Sequence, residues 1–227
     1  MRDEQPQSGS GRSEERGGAP LTMLAFEFAL IPLAGLLGVW LGHSPVCSIV
    51  EGEAGWRDEV FAVGWGAIAA MPPLVGLWWS QRSTWKPLQD LHQLTQSLLA
   101  PHFLRSSTGE LALLALVAGL GEELLFRGLL QERLTEWVLE RPGGLSSSQA
   151  ASSATAILAT SLGFGLLHAL SRTYFLLATA MSVYLGVLHA AVGNVLAPVA
   201  AHAIYDFVAL VYFVRITTAS LDEGVKQ

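Results

Sequence analysis

The sequence predicts an all-α membrane protein: a bundle of about six transmembrane helices with an additional amphipathic interfacial helix. Three observations carry this. Hydrophobic residues make up 51% of the 227 and charged residues only 14%, a balance that leans away from an ordinary soluble chain. Apolar stretches of about 20 residues recur between clusters of Gly, Pro and polar residues. Between the second and third of them, Leu88, Leu91, Leu94 and Leu98 recur at helical spacing beside Gln89, Asp90, His92, Gln93 and Gln96, a pattern suited to a helix lying on the membrane or under the bundle.

Residues 1–20 are Gly, Ser, Gln and mixed charges without apolar periodicity, and a disordered polar tail is expected there. The transmembrane domain is expected over 21–216, with a short C-terminal tail at 217–227. Its first span, Leu21 to Gly42, is interrupted by Glu27 and Pro32 and anchored by Trp40. It is longer than a signal-peptide core of about 7 to 15 residues and is read as a retained anchor. Glu27 has two readings, a member of a site or, favoured by its place near the span's start, a side chain that reaches back to the interface; Glu27→Ala is not expected to abolish turnover. A loop rich in Gly and acids follows from His43 to Glu59. The second span, Val60 to Trp79, is broken at Pro72-Pro73 and closed by Trp78-Trp79.

Ser107 and Glu110 have capping-box spacing and start the third helix. Helical pattern continues to Arg141, about 52 Å of helix against a hydrocarbon core of roughly 30 Å, so this helix projects or bends, with Gly128 a place for the bend. Polar residues 146–153 lead into a fourth span ending near Leu170. Tyr174 to Val192 forms the fifth and Val195 to Ile216 the sixth, leaving only Gly193-Asn194 to turn between them.

The formal net charge of −6 gives no reason to propose a nucleic-acid partner. Cys47, the only cysteine, excludes an intrachain disulfide and reads as a small apolar residue near a helix end. With a cytoplasmic N-terminus, the inside holds Arg2, Arg12, Arg16, Arg82, Lys86, Arg105, Arg172, Arg215 and Lys226, and the outside Arg57, Arg133 and Arg141. This asymmetry predicts a multi-pass integral membrane protein with both termini in the cytoplasm.

One stretch is far more costly than the rest. Glu122, Glu123 and Arg127 lie inside the apolar run from Leu111 to Leu130, and together oppose insertion by about 8 to 10 kcal/mol. The nine Leu, one Val and one Phe of that run favour insertion by roughly 3 to 7 kcal/mol. Ionisable residues carried at that cost point to a functional site. Glu123 and Arg127, four apart, form a helical ion pair, and Glu122 is rotated away by about 100°. One carboxylate is thereby paired, while the other is left over for acid–base work. Two further spans carry matching groups on single helix faces: Phe164 with His168, and His202 with Asp206. His189 reads as an interhelical hydrogen-bond partner, and His92 and His102 as surface residues.

The set Glu122-Glu123-x-x-x-Arg127, Phe164-x-x-x-His168 and His202-x-x-x-Asp206 resembles the three signature motifs of the CPBP family, the type II CAAX prenyl endopeptidase and bacteriocin-processing membrane proteins. The flanking Gly121-Glu122-Glu123-Leu124-Leu125-Phe126-Arg127-Gly128 and Asn194-Val195-Leu196-Ala197-Pro198-Val199-Ala200-Ala201-His202 are similar to its bacterial members, and the resemblance covers residues 107 to about 215. It implies peptide-bond hydrolysis inside the bilayer. Glu122 would be the general base, activating a water with His168, and His202 and Asp206 would stabilise the oxyanion. Glu123, Arg127 and Phe164 would support the site. The reading is metal-free; a zinc ion, if bound, would take Glu122, His168 and His202. The expected partners are the lipid bilayer and a membrane peptide or lipidated protein substrate. The alternatives are a catalytically silent membrane protein that binds a peptide on the same scaffold, as an immunity or partner protein, and a transporter with a buried ion path.

Overall fold

A computed structural model describes residues 21–46, 55–140 and 148–224, with side chains except those of 99–101 and 217–224. The expected polar tail and Cys47 lie outside the described residues. Among the described residues every regular element is helical: α1 (Leu21–Leu41), α2 (Trp56–Ala69), α3 (Met71–Ser80), α4 (Lys86–Phe103) and α5 (Thr108–Glu123) come first. A π-helical segment (Leu124–Gln131) then leads directly into α6 (Glu132–Glu140), followed by α7 (Gln149–Leu167), α8 (Arg172–Val192) and α9 (Leu196–Gly224). Five stretches are long and apolar enough to cross a membrane: Leu21–Leu41, Trp56–Ser80, Gln149–Leu167, Arg172–Val192 and Leu196–Ile216. The third helix is different in kind. It runs unbroken from Thr108 to Glu140 through three helical segments and occupies the middle of the bundle, with α5 against α1 and α9, and the π segment against α1, α7 and α8. Every residue from Gly121 to Leu129 is buried, as expected of a helix surrounded on all sides.

The ends of the helices have local causes. The Ser107 hydroxyl accepts from the Glu110 backbone N–H, and the Glu110 carboxylate accepts from the Ser107 backbone N–H, the reciprocal arrangement its spacing predicts. Those bonds hold the Glu110 carboxyl below the usual carboxylate range. Ser148 and Ser171 cap α7 and α8. The three-residue turn Gly193-Asn194-Val195 after α8 is possible because Gly193 takes the left-handed conformation at φ 71°. Asn194 then accepts from the Leu196 backbone N–H to open α9. α9 continues as helix to Gly224, past the expected end of the span at Ile216.

Pro72-Pro73 does not end the second span but divides it into α2 and α3 at Ala70. Pro73 has no N–H to give the Ala69 carbonyl; the Tyr184 hydroxyl of α8 donates to that oxygen instead, at 2.8 Å. Gly128, the place expected for a bend in the long third helix, lies within its π segment.

Small residues bring the backbones together. A methyl group on Gly66 of α2 would strike the Ala197 carbonyl and lie 2.7 Å from Ala200 Cβ of α9. One on Gly121 would lie 2.8 Å from the Glu27 carbonyl oxygen and 3.1 Å from Leu30 Cβ of α1. Gly121→Ala is therefore expected to lower unfolding stability in detergent by about 1–3 kcal/mol through overpacking. Gly35→Ala, whose added methyl has nothing within 4 Å, should leave it unchanged or slightly raised.

Candidate active site

The site begins with the ion pair. Arg127 is 1% exposed and Glu123 fully buried, and Arg127 Nη1 donates to Glu123 Oε1 at 2.8 Å. Arg127 Nη2 donates to the Ser182 backbone carbonyl at 2.9 Å and to Ser182 Oγ at 2.8 Å. One turn on, Gln131 Nε2 donates to the Gly186 carbonyl at 3.1 Å. Positions 127 and 131 are thus stitched to positions 182 and 186 of α8, and the π segment cannot rotate without breaking bonds to buried polar groups.

His202 of α9 joins the same carboxylate. Its Nδ1 lies 2.7 Å from Glu123 Oε1, and a carboxylate accepting there fixes the proton on Nδ1. The other nitrogen, Nε2, faces Asp206 Oδ2 at 3.3 Å and Glu122 Oε2 at 3.7 Å. His168, at the end of α7, is oriented differently: its Nδ1 donates to the Phe164 carbonyl at 2.9 Å, and its Nε2 faces Glu122 Oε1 at 3.6 Å. Each oxygen of Glu122 therefore looks at one imidazole Nε2, from two different helices, at separations just beyond a direct hydrogen bond, so that one water beside a pair can touch both groups. Glu122 and His202 are buried, whereas the His168 and Asp206 side chains are 27% and 31% exposed, so access is from their side.

Phe164 holds the centre by packing. Its ring stacks on His168 with centroids 4.2 Å apart and meets Phe126 edge-on at 5.0 Å and His202 at 6.5 Å. The Arg127 guanidinium lies 5.4 Å from the same ring. A cavity of about 500 Å³, lined by Leu41, Leu130, Leu134, Trp137 and Gly163 among others, shares Phe126 with this cluster.

All seven residues singled out in sequence, Glu122, Glu123, Arg127, Phe164, His168, His202 and Asp206, meet in this one place. Among the described residues no three His, Cys, Asp or Glu side chains stand in an arrangement that would hold a metal ion. His189 has its expected interhelical bond, with Nε2 2.7 Å from Glu132 Oε1. Glu27, expected to reach back to the interface, turns towards the bundle. It is half-buried, its Oε2 is buried, and it lies within electrostatic reach of Glu122, Asp206, His202 and His168. The reason is helix phase: Leu24, Glu27, Ile31, Ala34 and Gly38 form one stripe, and Leu24, Ile31, Ala34 and Gly38 all pack inward. That spacing was present in the sequence. Tyr174, whose ring meets His168 edge-on at 6.3 Å, and Ser182 also belong to the surroundings of the site; neither lies in a motif that singles it out.

The ion pair predicts a stability effect. Arg127→Met leaves Glu123 buried without its cation and is expected to cost about 3–5 kcal/mol, read by unfolding in detergent. Adding Glu123→Leu to that variant should recover part of the loss, because the uncompensated charge is then gone.

Residues 105–208, a little under half of the chain, match the family model described as type II CAAX prenyl endopeptidase Rce1-like. No curated protein and no solved structure matches the chain. The matched segment contains every side chain that converges on Glu122 from the third helix, α7 and α9, and excludes α1 with Glu27. With its five apolar helices, the chain is an integral membrane protein whose residues 105–208 are similar to the type II CAAX prenyl endopeptidases of that family model.

Proposed function

We propose that the chain hydrolyses a peptide bond of a membrane-embedded or lipidated peptide, with a water activated by Glu122. The observation that carries this reading is the pairing of the two Glu122 oxygens with two imidazole Nε2 atoms, at 3.6 and 3.7 Å. A water between Glu122 and His168 would give a proton to the Glu122 carboxylate and hydrogen-bond to the bare His168 Nε2 as its oxygen attacks the carbonyl carbon. With Nδ1–H held by Glu123, His202 donates to the oxyanion from Nε2 as the imidazolium, with Asp206 as its counter-charge. Glu122 then passes its proton to the amide nitrogen as the C–N bond breaks, and the carboxylate is regenerated. Glu123 acts as a positioning residue, since one oxygen receives both Arg127 and His202. The apolar cavity beside Phe126 supports an aliphatic or lipidated segment near the site.

The reading is metal-free: Glu122, His168 and His202 would be the ligands of a zinc ion, and the base needs none. Both termini are placed in the cytoplasm on the Lys and Arg asymmetry of the loops. The competing function is a peptide-binding protein without turnover.

Cleavage of a lipidated CAAX peptide by the purified chain in lipid separates these. Glu122→Gln and His168→Ala are each expected to lower kcat/KM by about 10²- to 10⁴-fold. Glu122→Gln with wild-type turnover would refute the mechanism, and peptide binding without cleavage by the wild type would establish the competing function. Activity is expected to survive exhaustive chelation; stoichiometric zinc lost together with activity would overturn the metal-free reading.

A further inference from the structure

We propose that Glu27, from the first span, is a substrate-binding residue of this site, its carboxylate accepting a backbone N–H of the peptide next to the bond that is cut. The inference rests on the proteolytic reading above and adds a wall to the site from outside the family segment.

Three features of the structure support it. The first is placement. Gly121, the residue before Glu122, has no side chain, and the α1 backbone at Glu27 sits where one would be. Glu27 is therefore fixed beside the catalytic stretch by a backbone-to-backbone approach, and a flexible side chain need not find its way there. The second is the state of its carboxylate. Oε2 is buried and has no hydrogen-bond partner among the described residues. Three donors of the site are committed elsewhere: His202 Nδ1 to Glu123, His168 Nδ1 to Phe164, and Arg127 to Glu123 and Ser182. A buried acceptor without a donor is costly, and the terminal torsion of a glutamate lets either oxygen turn to a newcomer. The third is cost. A leucine at this position in an apolar span would favour insertion where a glutamate opposes it, so an idle carboxylate has no structural advantage here.

The substrate brings what Glu27 lacks. A peptide drawn into the bundle in extended form exposes backbone N–H groups that lipid and apolar side chains cannot satisfy. An acceptor beside the attacking group would pair one of them and hold the scissile carbonyl in register with Glu122. A neutral amide at position 27 still accepts through its oxygen, whereas an alkyl side chain does not.

The test uses the full chain in lipid nanodiscs, a lipidated CAAX peptide, and a series of the same peptide carrying one backbone N-methyl group at successive positions. Glu27→Leu is expected to raise KM by about tenfold or more, the scale of one hydrogen bond to a charged acceptor. Glu27→Gln should stay within about threefold of wild type. One N-methylated peptide should bind the wild type correspondingly weakly and suffer no further loss in Glu27→Leu, a coupling that a merely structural role does not produce. Binding of the same peptides to the Glu122→Gln chain gives the equivalent dissociation constants without turnover. Peptide that binds with this coupling yet is never cleaved by the wild type would sink the proteolytic reading and leave the Glu27 contact standing. Cleavage with wild-type KM in Glu27→Leu, or equal losses for every N-methylated peptide, would overturn the Glu27 contact alone. Failure of the wild type to bind any of the peptides would overturn both.

Discussion

The structure depends on the need to leave no charge uncompensated inside an apolar bundle. Arg127 and Glu123 are both buried, and either alone would be costly there. Their pairing sets the rest in train. Arg127 also bonds Ser182, and Gln131 bonds Gly186 one turn on, so the centre of the third helix is fixed to α8. Glu123 receives His202 on the oxygen that already holds Arg127, which fixes α9 against the same point. Once these bonds are made, the direction in which Glu122 points is no longer free.

The helical pattern of that stretch divides its two neighbouring carboxylates between different tasks. Glu123, turned towards Arg127 and His202, is consumed by structure. Glu122, about 100° around the helix, meets the Nε2 atoms of two histidines just beyond direct hydrogen-bond distance. The imidazoles reach the same carboxylate in two distinct ways: His168 is oriented by a backbone carbonyl of its own helix, and His202 by a carboxylate of another. Such locking of each ring by a second group is what keeps a catalytic arrangement within useful tolerance.

Close backbone approach makes so dense a site possible. Gly66, Gly121 and Gly186 each stand where a side chain would strike a neighbouring helix, and this lets α1, α2 and α8 press inward until polar groups meet. At Gly121 the approach brings Glu27 to the edge of the site. The family segment begins after α1, so this contribution comes from a part of the chain that the family likeness does not describe.

Much of this was legible in the sequence for local reasons. The helix cap at Ser107, the amphipathic α4 and the apolar spans follow from short-range pattern. The i, i+4 pairs of Glu123 with Arg127 and of His202 with Asp206 follow from helix geometry alone. Two matters were left to tertiary structure. The phase of each helix against its neighbours decided that Glu27 turns inward, because a single span in lipid has no preferred rotation until it packs. The partner of a histidine was likewise undetermined: His202 could have been oriented by Asp206, its neighbour on the same helix, but Glu123 from another helix takes Nδ1. The amino-acid sequence determined which groups had to be hidden from lipid; only the packed bundle decided which of them would satisfy one another, since in a low-dielectric interior every buried donor and acceptor takes the partner that the neighbouring helices bring within reach.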